Sequence, residues 1–254
     1  MHSLTKLELA RYHFPMPESL SRNARIRSLW PLPLVAGLLP VIASVAAFWI
    51  SVAQEYITAC NPLVEGCVSI SRAARHGLGN QVFRALILPA ATLQAITWLL
   101  ANHWLTSLGA GGRSMKWLAV LGVFAGVFLV LYASFLGSEG DAYRWLRRYG
   151  VIVYFGFTYM SMLIVAARLH HLVAHVGLHL PVRLDIALLL LLAAILLMGL
   201  FNYFARPMLA DASARDRIEN LLEWYSGLGF TVYFLALAWV WRRTGFNAHL
   251  IASR

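Results

Sequence analysis

Apolar residues in this chain fall into six long blocks divided by short polar stretches. The blocks cover roughly residues 32–53, 82–108, 117–136, 151–169, 184–204 and 224–241. At about 1.5 Å of rise per residue, each is long enough as a helix to cross a hydrocarbon core of about 30 Å. The fifth block includes LLLLLAAILLMGLF and offers no polar face, so as a helix it needs apolar surroundings on all sides. Pro31 and Pro33 suit a helix start, where a missing N–H costs little. Pro40 and Pro89 fall inside the first and second blocks, and Pro40 is placed to kink its span. The run Gly109-Ala110-Gly111-Gly112 stops the second block. Trp30, Trp49, Trp104, Trp117, Trp145, Trp224 and Trp241 lie near predicted span ends and are expected to form interfacial belts. The expected fold is an all-α polytopic membrane protein with six transmembrane helices in one bundle. Residues 30–243 form that bundle, with tails at 1–29 and 244–254.

Composition supports a membrane class. Hydrophobic residues make up 60% of the 254 residues and charged residues only 13%, against about 25% in a soluble domain. The net charge of +10 would suggest nucleic acid in a soluble protein. Here the basic residues flank apolar blocks, which fits topology signals and lipid headgroups better, so no nucleic-acid partner is expected. The first 29 residues contain no apolar signal-peptide core, and the first span is expected to act as an uncleaved anchor. Lys6, Arg11, Arg22, Arg25 and Arg27 precede that span. They favour both termini in the cytoplasm. The expected location is the inner membrane of a bacterium, or an endomembrane or the plasma membrane of a eukaryote.

Several groups carry candidate chemistry. Cys60 and Cys67 lie in the longest loop, around a turn-forming Asn61-Pro62 and Glu65-Gly66. In an oxidising compartment they are candidates for a disulfide, and a lone pair supplies too few ligands for zinc. His170, His171, His175 and His179 cluster after the fourth block. As a helix, His171 and His175 form an i, i+4 pair; a polar interfacial role is expected for the cluster, with no metal or cofactor. Gly122 and Gly126 form a GxxxG, suited to close helix packing within the bundle or to a homodimer contact. Arg84, Glu139, Asp141, Asn202, Arg206 and Glu223 sit at one end of the spans. Ionisable groups at that depth need partners or water. Glu223 is the sharpest case, because Leu221-Leu222-Glu223-Trp224 enters an apolar block directly.

Short motifs at these positions resemble a known family. They are Ser69-Ile70-Ser71-Arg72-Ala73-Ala74 with Gly77, Val82-Phe83-Arg84, Asn102-His103-Trp104-Leu105, Asn202-Tyr203-Phe204-Ala205-Arg206, and Glu223-Trp224. Together with the helix count, they look like the Frag/DRAM/Sfk family of six-helix membrane proteins. Within it, the SIS stretch and Arg84 are most like the post-GPI-attachment lipid-remodelling factor. Arg72 stands where autophagy-modulator relatives carry an acid, and Val68 where a proline is common. The resemblance implies a protein concerned with membrane phospholipids or glycolipids, with room for a partner membrane protein or homodimer. The shared motif residues gather at the extracytoplasmic end, so Ser69, Ser71, Arg84, Asn202, Arg206 and Glu223 are expected to bind a lipid headgroup. Arginine's planar fork suits phosphate. The alternatives are an intramembrane lipid-modifying enzyme using Glu223 or His103 as acid/base, and a small transporter.

Overall fold

The computed structural model describes residues 25–178, 180, 183–205 and 208–250. The elements in chain order are β1 (Arg25–Ser28), α1 (Pro31–Ala53), α2 (Ile70–Ala73), α3 (Gly77–Ser107), α4 (Arg113–Ser134), α5 (Asp141–His171), α6 (Leu184–Ala205), α7 (Ala212–Thr244) and β2 (Asn247–Leu250). A π turn, Leu172–Val176, extends α5. Six helices (α1, α3, α4, α5, α6 and α7) are long and apolar enough to cross a membrane. Each of these helices packs on its neighbours around a ring: α5 on α4, α4 on α3, α3 on α1, and α1 on α7. The ring is closed by α6, between α5 and α7. That closure is loose, with 22% of the α6 span buried against 39% or 44% in the others.

Three helices begin five or more residues before their apolar blocks. α3 starts at Gly77, α5 at Asp141 and α7 at Ala212. Hydropathy marks where a helix meets hydrocarbon, whereas backbone hydrogen bonding continues wherever a cap or packing surface allows. Asp211 supplies such a cap by accepting from the Ser213 N–H at 2.9 Å. With 33 residues, α7 is about 50 Å long and rises well beyond the membrane core. All three extensions lie on the face that carries the Cys60–Cys67 loop, hereafter the disulfide face. At the opposite, terminal face, β1 and β2 pair antiparallel, with Arg25 opposite Leu250 and Ser28 opposite Asn247. This pairing joins two segments expected only as tails.

The tryptophans divide in a way that departs from the belt expectation. Trp49 and Trp145 are 60% and 63% exposed, as belt residues should be. Trp104, Trp224 and Trp241 are instead buried in the core. Trp104 and Trp241 lie 6.2 Å apart and pack with Phe246. Proximity to a span end does not reveal which way a side chain points around the helix. The GxxxG is an internal contact: a Cβ on Gly122 would lie 2.2 Å from the Trp98 Cβ, and one on Gly126 would lie 3.0 Å from the Ala91 carbonyl oxygen.

Candidate functional site

The loop between α1 and α3 returns into the bundle and must satisfy its backbone there, because irregular chain at membrane depth survives only where protein supplies hydrogen bonds. Side chains from three helices do so. From α7, Asn220 Nδ2 donates to the Gly66 carbonyl at 2.7 Å and Trp224 Nε1 to Val68 at 2.9 Å. From α1, the Ser51 hydroxyl donates to Ala73 at 2.6 Å. From α3, Asn80 Nδ2 donates to Ala74 at 2.9 Å. Gly66 has φ +61°, and a Cβ there would meet the Arg217 carbonyl oxygen at 2.3 Å, so a glycine is required for the loop to press onto α7. Cys60 and Cys67 are joined by a disulfide. Closing so small a ring is worth roughly 2–3 kcal/mol in the chain-entropy view.

These anchors place the SIS segment against Glu223. Ser69 caps the short helix α2, its hydroxyl oxygen accepting from the Arg72 N–H at 3.1 Å. The Ser69 and Ser71 hydroxyls lie 3.2 Å apart. The Ser71 backbone N–H donates to Glu223 Oε1 at 3.1 Å. Arg72 and Arg75 are the cations whose field reaches this carboxylate, and Glu219, one turn earlier on α7, adds a second acid. The Tyr132 hydroxyl, from α4, faces Ser71.

Below this cluster lies a cavity of about 70 Å³ in the middle of the ring. Glu223 and Tyr132 stand at its disulfide-face end. Its walls are mostly apolar, with Val41, Ile87, Leu129, Phe155 and Phe230 among them. Gln94 and Phe234 mark the deep end. The polar groups there satisfy one another: Tyr154 Oη donates to Gln94 Oε1 at 3.2 Å, and Gln94 Nε2 donates to the Ala36 carbonyl at 3.1 Å.

The structure brings Ser69, Ser71 and Glu223 together. It does not bring Arg84 to them. Arg84 is half-buried on α3, lines no part of the cavity, and makes no hydrogen bond or ion pair among the described residues. Asn202 is half-buried near the end of α6 and also lies off the cavity wall. Arg206 and His179 lie outside the described residues. His103 is at the terminal face, its ring 6.4 Å from that of Phe246. His103 and Glu223 are therefore at opposite ends of the bundle and cannot serve one reacting centre. In the histidine cluster, His170 Nδ1 lies 2.7 Å from the buried Asp185 carboxylate, and His171 stacks on His175. Sequence reasoning missed Tyr132, Arg75 and the Gln94–Tyr154 pair. One signal was available: Asn220, Glu223 and Trp224 fall at i, i+3 and i+4, a single face of α7 once that helix is extended N-terminally.

A ring of six apolar helices, with an irregular segment tucked into one end over an internal cavity, defines an all-α polytopic membrane protein. Residues 28–242 match the Frag1/DRAM/Sfk1/Cwh43P N-terminal domain, and the chain belongs to that family. No curated protein and no solved structure matches the chain.

Proposed function

We propose that this protein binds a membrane lipid at its disulfide face and assists the remodelling or distribution of that lipid. The observation that carries this reading is the apolar cavity with a carboxylate at its mouth. An aqueous substrate would find few polar partners along the walls, whereas a lipid presents a polar head and an apolar tail to matching surfaces. Arg72 and Arg75 offer the guanidinium forks that suit a phosphate. Glu223 and the Ser71 hydroxyl suit a lipid hydroxyl or amine. A second reading, chemical modification of the lipid, draws on the Ser69 and Ser71 hydroxyls, 3.2 Å apart, on the segment whose Ser71 backbone N–H donates to Glu223. That reading requires a changed lipid product after incubation with purified protein.

Native mass spectrometry of the detergent-purified protein tests the binding reading, with one retained phospholipid per chain expected. Arg75→Ala should lower that occupancy several-fold, and Arg84→Ala should leave it near wild type. Loss on Arg84→Ala alone would move the headgroup site away from Glu223. Orientation has a separate test. Met208, 85% exposed between α6 and α7, and Gly111, with open space around it, lie on opposite faces. Met208→Cys should react with an impermeant maleimide in intact cells and Gly111→Cys should not. The reverse pattern would place the lipid site on the cytoplasmic side.

A further inference from the structure

The cavity reaches the gap between α5 and α7: Val151 and Phe155 on α5, and Gly227 and Leu228 on α7, line it and are each partly exposed. Helix α6 should cover this gap, and only part of it does so. Ile195 packs onto Gly229 of α7, where a Cβ would approach Ile195 Cδ1 to 2.9 Å. The Tyr159 hydroxyl donates to the Leu192 carbonyl at 3.2 Å. Beyond Ile195, α6 has no buried residue among those described, and Leu197 and Phe204 are each 64% exposed. Cβ atoms at Gly156 and Gly199 would meet nothing within 4 Å. The disulfide-face half of α6 has therefore left the bundle beside the gap between α5 and α7.

The cavity's dimensions select its occupant. From Glu223 to Phe234 along α7 is about 16 Å at 1.5 Å per residue. A hydrocarbon core of about 30 Å is two chains deep, so one acyl chain extends about 15 Å. The volume of about 70 Å³, spread over that length, gives a bore about 5 Å wide once the ~1.4 Å radius of a water-sized sphere is added back on each side. That width admits one extended hydrocarbon chain and not two.

We infer that the cavity takes a single acyl chain of a phosphate-bearing two-chain lipid, admitted sideways from the bilayer between α5 and α7 where α6 diverges. The second chain stays in the bilayer. The headgroup rests on Glu223, Ser71 and Arg75. Phe155 and Phe230, with ring centres 5.1 Å apart, floor the entrance. This inference rests on the lipid-binding reading above.

The test uses the full-length protein in vesicles of phosphatidylglycerol, a small fraction of which carries a diazirine at the end of one acyl chain. Peptide mapping after irradiation should find adducts on the deep residues Gln94 and Phe234. The double change Val151→Trp with Leu228→Trp plugs the entrance and should lower deep adducts at least tenfold. Adducts on the lipid-facing Val232 should be unchanged and serve as the internal control. Phe155→Ala widens the entrance and should raise deep labelling, which keeps the inference testable should the plugged variant fold poorly. Deep adducts unaffected by both changes would overturn the lateral route. A co-purified lipid with no deep adducts in the wild type would overturn the one-chain occupancy and leave lipid binding standing. Absence of both lipid and deep adducts would sink the two together.

Discussion

Glu223→Gln is expected to lower lipid occupancy about tenfold while leaving the unfolding temperature nearly unchanged. The carboxylate has two tasks that this substitution separates. It accepts the Ser71 N–H at 3.1 Å, and a glutamine carbonyl can accept the same bond. When ionised it also brings a negative charge to the mouth of an apolar cavity, and glutamine removes that. Hydrogen bonds to charged groups contribute roughly 1.5–3 kcal/mol, against about 1 for neutral ones. A difference near 1.4 kcal/mol is tenfold in affinity. Glu223→Leu removes both tasks, and should lose the lipid and also loosen the 66–74 segment. The midpoint of thermal unfolding and the mass-spectrometric lipid count, measured on both variants, distinguish the two tasks. A purely structural Glu223 would give the opposite split, with Glu223→Gln retaining its lipid in full.

The parts of this structure that the sequence disclosed are those governed by composition along one dimension. Six spans follow from six apolar blocks, because hydrocarbon tolerates little else over about 20 residues. The Ser69, Ser71 and Glu223 grouping was legible because each residue sits at the disulfide-face end of its element. Depth along the membrane normal can be read from sequence. Angle around each helix axis is harder to read, and the departures arise there. Arg84 has the right depth but lines no part of the cavity, and Arg72 and Arg75 are the arginines whose charge reaches Glu223. Trp104 and Trp241 have belt depth and face inward. Gln94 and Tyr154 fall within apolar blocks as isolated polar residues, and their pairing across α3 and α5 depends on both helix phases together. The early starts of α5 and α7 were hidden because a helix emerging into water loses its apolar signature and keeps its backbone pattern.

Gly122→Ala should destabilise the protein by about 1–3 kcal/mol, the usual cost of forcing a methyl group into a packed core. Gly122→Leu should prevent recovery of folded protein. The α3–α4 crossing leaves no space at this point: the added Cβ would lie 2.2 Å from the Trp98 Cβ and 2.5 Å from its Cγ. Trp98 is fully buried and packs on Phe234, 5.2 Å away across the bundle, so it has nowhere to swing. The helices themselves would have to separate, and the core shared by α3, α4 and α7 would separate with them. Gly156→Ala is the matched control. It too replaces a helical glycine in a span, but its Cβ would touch nothing within 4 Å. Helix propensity alone then predicts a gain of up to about 1 kcal/mol. Thermal unfolding followed by tryptophan fluorescence in detergent reads all three variants against wild type. A GxxxG serving a dimer would behave differently, with Gly122→Leu yielding a stable monomer where the wild type is dimeric. That result, by size-exclusion chromatography with light scattering, would refute the internal crossing as the reason for glycine at this position.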